Sequence, residues 1–170
     1  MDKILFILHL PPPIHGASMM GKYIHDSKII NKTFDCHYIN LALAKELADI
    51  GKVGFGKIKL FVCLLHTIYK EVKDIKPQLV YITPNAKGGA FYKDFIVAQM
   101  LKMMGCKVVV HYHNKGVFTR QNHIIDNILY KLFFKNIKVI LLADTLYNDI
   151  GKYVNHKDVY ICSNGIPRSV

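Results

Sequence analysis

Apolar residues fall along the chain in short unbroken runs that alternate with segments of helical spacing. Ile4 to Leu8 is continuously apolar, the pattern of a strand buried on both faces. Pro11-Pro12-Pro13 ends it, because proline has no amide hydrogen to give a ladder. Ala17 to about Lys28 fits a helix, and Phe34 to Leu41 a second strand. Ile58, Phe61, Val62, Leu65, Ile68, Tyr69 and Val72 recur at helical spacing until Lys76-Pro77 closes the helix. Leu79 to Thr83 reads as a third strand. Phe91 to Met104 reads as a largely buried helix with Gly105 at its C-cap. Lys107 to Tyr112 is a fourth strand, and Ile124, Ile125, Ile128, Leu129, Leu132 and Phe133 mark another amphipathic helix. Lys138 to Leu142 is a fifth strand. Asp144 is placed to cap a short helix through about Tyr153, and Asp158 to Cys162 is a sixth strand. Residues 42–56 carry the weakest pattern and are expected to form a mobile loop.

Six strands separated by helices predict an α/β fold. Its expected form is a three-layer, Rossmann-like domain over residues 1–170, doubly wound on a mainly parallel sheet of about six strands. In the strand order 3-2-1-4-5-6 the first and fourth strands are neighbours, and a crevice opens at their carboxyl ends. Two loops would line it, Leu10–Ser18 (LPPPIHGAS) and His113–Phe118 (HNKGVF).

Composition narrows the class. Hydrophobic residues make up 51% of the 170 and charged residues 21%, a globular balance. The most apolar stretch, Leu60 to Leu65, is far too short to cross a bilayer. The apolar run at the N-terminus contains His9 and ends in prolines without a small-residue cleavage site, so it reads as a strand and not a signal peptide. The four cysteines form no CxxC pair and read as reduced, buried thiols of a cytoplasmic protein.

Lys and Arg number 23 against 12 Asp and Glu, a net charge of +11. Residues 102–138 hold Lys102, Lys107, Lys115, Arg120, Lys131, Lys135 and Lys138 against one acid, Asp126. Lys59, His66, Lys70 and Lys73 fall on one stripe of the helix over 57–75. Such charge suits either a solvated face or an anionic bilayer surface. Nucleic acid is not expected, because neither a stacking platform nor a recognition-helix pattern accompanies the charge.

Candidate chemistry sits in the two loops. Gly16 opens a helix, where glycine lets the backbone approach a ligand closely; the other reading is a tight turn after the prolines. His15 beside it is a candidate ligand contact. His111 reads as a core or ladder residue. His113, at the strand tip, is the candidate for contacting a substrate hydroxyl or moving a proton, with a structural histidine as the alternative. His111 and His113 have the spacing for two metal ligands but no evident third, so no metal is assigned. The chain has neither GxGxxG nor GxxxxGK[ST], which disfavours a nicotinamide site and excludes a P-loop. Asp49 lies too deep in its loop to serve as a ribose ligand. There is no D-x-D triplet to hold a nucleotide diphosphate through a divalent metal.

Four segments, LPPPIHGAS, VYITPNAKGGAFYKD, VVVHYHNKGVF and VYICSNGIP, stand in order at the ends of the first, third, fourth and sixth strands. Together they resemble the N-terminal half of a bacterial family 4 glycosyltransferase of the GT-B fold. The resemblance implies an acceptor-binding domain that faces a donor-binding one across a cleft. It also implies retaining transfer, without metal or cofactor, from a nucleoside-diphosphate sugar to a glycan or lipid-linked glycan acceptor. It places His113 near the transferred sugar as the catalytic candidate. It places His15, Gly16 and Ala17 in the first loop, and Asn114, Lys115 and Gly116 in the second, among the substrate contacts. Asn164-Gly165-Ile166 would approach the interdomain hinge. The donor-binding half, with its paired glutamates, is absent from these residues, so the chain is expected to be inactive alone. The expected location is cytoplasmic, either free or peripheral at the inner face of the plasma membrane. The alternative function is a non-catalytic Rossmann-like subunit that recruits a partner or a membrane surface.

Overall fold

The computed structural model describes residues 1–41 and 55–165. The chain order is β1 (Lys3–Leu8), α1 (Gly16–His25), α2 (Lys28–Thr33), β2 (Asp35–Asn40), α3 (Phe55–Ile75), β3 (Leu79–Ile82) and α4 (Gly88–Met103). It continues with β4 (Val108–Tyr112), α5 (Val117–Arg120), α6 (Ile124–Phe134), β5 (Lys138–Leu141), α7 (Tyr147–Ile150) and β6 (Val159–Ile161). All six strands are parallel in one sheet with helices on both faces, which is a Rossmann-like α/β architecture.

The strand order is β2-β1-β3-β4-β5-β6, not the expected 3-2-1-4-5-6. β1 pairs with β2 on one side and β3 on the other, so β3 stands between the first and fourth strands. Crossover handedness explains the layering. From β1 to β2 the chain moves one way along the sheet, and from β2 onward it moves the other way. Right-handed crossovers therefore put α1 on one face and α3, α4 and α6 on the opposite face. The direction reverses once, so the topological switch point lies between β1 and β3.

Alternation along β1 divides its side chains between two cores. Leu5 and Ile7 join Val80, Ile82, Val108, Val110, Val139 and Leu141 beneath Leu64 and Ile68 of α3, Phe91 and Leu101 of α4, and Tyr130 and Phe133 of α6. Ile4, Phe6 and Leu8 form the smaller core, with Ile24 of α1 and Ile30 of α2 packed against it. Burying one such side chain is worth roughly 1.5–3 kcal/mol, so most of the stability resides on the three-helix side. The cysteines, expected to be buried, are not: Cys36 and Cys106 are half-buried at the margins of the cores, and Cys63 and Cys162 are exposed.

Local signals account for most boundaries. Gly105 follows α4 at φ 79°, in the conformation that ends helices. The helix expected over 17–28 breaks at Asp26. Ser27 then caps the short α2 by accepting from the Ile30 amide, a start signal hidden inside a continuous helical pattern. Asp144 does not act as a helix cap: a 3-10 turn over Asp144–Leu146 precedes α7, and Ala143 holds the capping position. The loop expected over 42–56 lies mostly outside the described residues; Phe55 and Gly56 belong to α3.

Gly21 sets how closely α1 meets the end of β1. A Cβ there would stand 2.1 Å from the His9 carbonyl oxygen, a backbone atom that cannot swing aside. Gly21→Ala is expected to lower stability by about 1–3 kcal/mol in urea unfolding. A variant of unchanged stability would show that α1 is free to lift from the strand.

Candidate functional site

Parallel strands deliver their following loops to one edge of the sheet. At the carboxyl edge the loop after β3 bridges those after β1 and β4. The Asn114 side-chain oxygen accepts from the Ala86 amide at 2.9 Å, tying the β4 loop to the β3 loop. The Asn85 side-chain amide donates to His9 Nε2 at 3.3 Å, tying the β3 loop to the end of β1. The His9 ring in turn lies 6.1 Å from that of His15, edge to face. The two loops expected to be neighbours are therefore joined through a third, which the strand order interposes.

His9 is the residue that sequence reasoning passed over. It follows the last β1 residue, and its amide donates to the Thr83 hydroxyl at 3.3 Å. Asp94, buried on α4, accepts from both the backbone and side-chain amides of Asn85, at 2.7 and 2.9 Å. Lys93 pairs with the same carboxylate at 2.9 Å. Because an amide NH2 only donates, His9 Nε2 accepts and its proton sits on Nδ1. The cue available in the sequence was position: His9 is the first polar residue after the apolar run of the strand beside the switch point.

Burial sets the charge of these imidazoles. It lowers His9 from 6.5 to about 4, only partly countered by Asp94. It also lowers His111 to about 4, with His113 adding to the effect. His113 is lowered by burial as well, while the Asn164 side chain pulls the other way. All three are neutral at neutral pH, despite the chain's charge of +11. The His111 and His113 rings lie tilted against each other with centroids 4.3 Å apart, and the Tyr81 hydroxyl meets His111 Nδ1 at 2.5 Å. Both ring nitrogens of His113 are shut off from solvent. Among the described residues no three His, Cys, Asp or Glu side chains converge to hold a metal ion.

The first loop is organised by a reciprocal cap. His15 Nδ1 accepts from the Ser18 amide at 3.3 Å, and the Ser18 hydroxyl oxygen accepts from the His15 amide at 2.9 Å. Ser18 also donates to the Pro13 carbonyl at 2.8 Å, fixing the entry into α1. Gly16 has no positive φ, and a Cβ built there would meet nothing within 4 Å. Neither the turn nor the packing of the chain requires glycine at this position. Ala17 is partly buried beside it.

The second loop is held from within. The Asp149 carboxylate accepts from the amides of Gly116, Val117 and Phe118 at 2.8, 3.1 and 3.0 Å, filling the nest at the start of α5. Gly116 adopts φ 147°, which favours glycine, and a Cβ there would also press on the Lys87 side chain. The Gly116 amide is thus engaged by the protein itself, while Lys115 and Asn114 are exposed. A concavity of about 600 Å3 lined by Tyr69, Lys73, Lys76 and Met103 opens at the opposite, amino-terminal edge and gathers none of these histidines.

The carboxyl edge thus offers neutral imidazoles, amide groups and an open approach over Gly16, a set suited to hydroxyl-bearing ligands. No protein-family model matches the chain, and no curated protein matches it.

Stability should depend on pH through these buried histidines. In the folded state His9 and His111 resist protonation, so between about 6.5 and 4 the unfolded chain binds more protons than the folded one. Stability is then full above that window and falls as pH drops through it. His9→Gln is expected to flatten this fall in urea titrations at several pH values. An unchanged slope would show that His9 is accessible to protons in the folded state.

Proposed function

We propose that this chain is the acceptor-side half of a retaining, metal-independent glycosyltransferase. Its donor would be a nucleoside-diphosphate sugar and its acceptor a surface glycan, free or lipid-linked. The observation that supports this best is the set of neutral imidazoles gathered around the switch point, His9 and His113 above all. A neutral imidazole can both accept from and donate to a sugar hydroxyl, and it does not bring a charge that would have to be desolvated.

In this reading His113 touches the transferred sugar once its ring nitrogens, shut off from solvent in the chain alone, are uncovered. His9 and the Nε2 of His15 line the acceptor side, and the open space over Gly16 and Ala17 admits the ligand close to the backbone. Asn114 and the exposed Lys115 rim the cleft. Gly116 acts by shaping the loop and not through its amide, which Asp149 already holds. The leaving diphosphate would meet its cationic partners on a second, donor-binding unit, which keeps charge development inside a cleft shut off from water.

The chain alone is therefore expected to bind saccharide acceptors but to release no nucleoside diphosphate from UDP- or GDP-sugars above the uncatalysed rate. Ligand-observed NMR with a panel of oligosaccharides and polyprenyl-linked glycans checks the first part. His9→Ala and His113→Ala should each weaken the hit by about tenfold or more, with melting temperature as the check on folding. Sugar-nucleotide turnover by these residues, or saccharide binding indifferent to both histidines, would contradict the proposal. The non-catalytic alternative gives a silent saccharide panel.

A further inference from the structure

The His9 ring is held by contacts that leave one of its nitrogens to a ligand. Its backbone amide donates to the Thr83 hydroxyl at 3.3 Å, which anchors the chain beneath the ring. Nε2 accepts from the Asn85 side-chain amide at 3.3 Å. Nδ1 meets no acceptor among the described residues, and it is not sealed from solvent as both His113 nitrogens are.

Which nitrogen carries the hydrogen is decided further back, at Asp94. This side chain is 1% exposed and is gripped on both oxygens. Oδ1 pairs with Lys93 Nζ at 2.9 Å, and Oδ2 accepts from the Asn85 backbone amide at 2.7 Å. Lys93 is fixed in turn, donating to the Leu41 carbonyl at 3.0 Å. The Asn85 side chain meets the same Oδ2 at 2.9 Å. A carboxylate only accepts, so the Asn85 group that faces it is the NH2; the amide carbonyl there would set two acceptors against each other. One NH2 hydrogen then faces Asp94 and the other faces His9 Nε2. A donor aimed at Nε2 excludes a hydrogen on that nitrogen, and the neutral ring must carry it on Nδ1. Without such a partner the ring would sample both forms.

We propose that Asp94 and Asn85 are positioning residues that hold His9 in the Nδ1–H form, so that His9 meets a bound ligand only as a hydrogen-bond donor to a ligand oxygen. Donation from Nδ1 favours an oxygen with an open lone pair and disfavours a group that can only donate, such as an ammonium. The His15 ring, 6.1 Å away, stands on the approach to the same nitrogen's side of the edge. The ligand contact rests on the saccharide reading above, whereas the tautomer is independent of it.

The tautomer is read without ligand, by long-range proton–nitrogen correlation on protein carrying isotope-labelled histidine, at neutral pH. His9 is identified among the nine histidines by the signals lost in His9→Gln. The unsubstituted chain should show a protonated, pyrrole-type Nδ1 and an unprotonated, pyridine-type Nε2. Asn85→Ala should move the population toward Nε2–H. Asp94→Ala, which lets the Asn85 amide turn, should give a mixture. Melting temperatures show whether these variants fold, and the unsubstituted spectrum decides the tautomer without them. An Nε2–H signature in the unsubstituted chain, or an Nδ1–H signature that survives Asn85→Ala, would overturn the inference.

Binding separates the donor from a merely structural ring. Asparagine in place of His9 sets an amide donor near the Nδ1 position but gives up the contact with Asn85. Glutamine reaches Asn85 but leaves the Nδ1 position without a donor. Against the oligosaccharide panel, His9→Asn should recover most of the binding that His9→Ala loses, while His9→Gln should stay weaker by about tenfold. Recovery by glutamine and not by asparagine would make the ring structural and overturn its donor role. A panel silent for the unsubstituted chain would strike the saccharide reading, while the tautomer spectrum still decides for or against the roles of Asp94 and Asn85.

Discussion

Burial of β1 on both faces is the constraint from which the architecture follows. A strand with Ile4 through Leu8 all withdrawn from water must have a layer on each side and a partner strand on each edge. Right-handed crossovers then leave little choice. One helix-bearing connection departs toward β2 on one face, and every later connection returns past β1 on the other. The reversal leaves a gap between diverging helices at the carboxyl end of β1. His9, the first residue past the strand, stands in that gap.

The same burial decides the chemistry of the edge. Water withdrawn from His9, His111 and His113 removes the main support for a charged imidazole, and the carboxylate nearest His9 is itself committed to Asn85 and Lys93. A strongly basic chain thus keeps its would-be binding edge largely neutral. Three of the acids behave alike. Asp94, Asp126 and Asp149 each turn toward amides, a hydroxyl or a neighbouring cation.

Element type was legible in the sequence because period and length carry it. The apolar runs at 4–8, 79–83 and 138–142 could be little else than strands, and each lies within a residue or so of where the structure has it. Strand order was not legible, since periodicity says that a run is buried and not which run lies beside it. The edge position of β2 was faintly written in Asp35, His37 and Asn40, polar residues that a central strand avoids. Within the candidate site, the loops bearing His15, Gly16 and His113 were marked by composition. The links that join them were not. His9–Asn85 spans 76 positions and Gly116–Asp149 spans 33, and contacts of that range leave no local pattern.

The asymmetry of the two helical layers ties the edge to the outer surface. α1 and α2 cover only the β1–β2 side of their face, whereas α3, α4 and α6 lie side by side across the other. Three parallel helices in one layer form a broad platform, with ridges spaced by about 8–10 Å from axis to axis. Lys102 joins two of them, donating from α4 to the carbonyls of Leu132 and Phe133 at the end of α6, and burial there lowers its own pKa to about 8. That clamp ties α4 to the end of α6, the helix that carries Ile128 and Leu132. A surface built this way transmits its orientation to the sheet beneath it. Whatever the platform rests on determines which way the carboxyl edge faces.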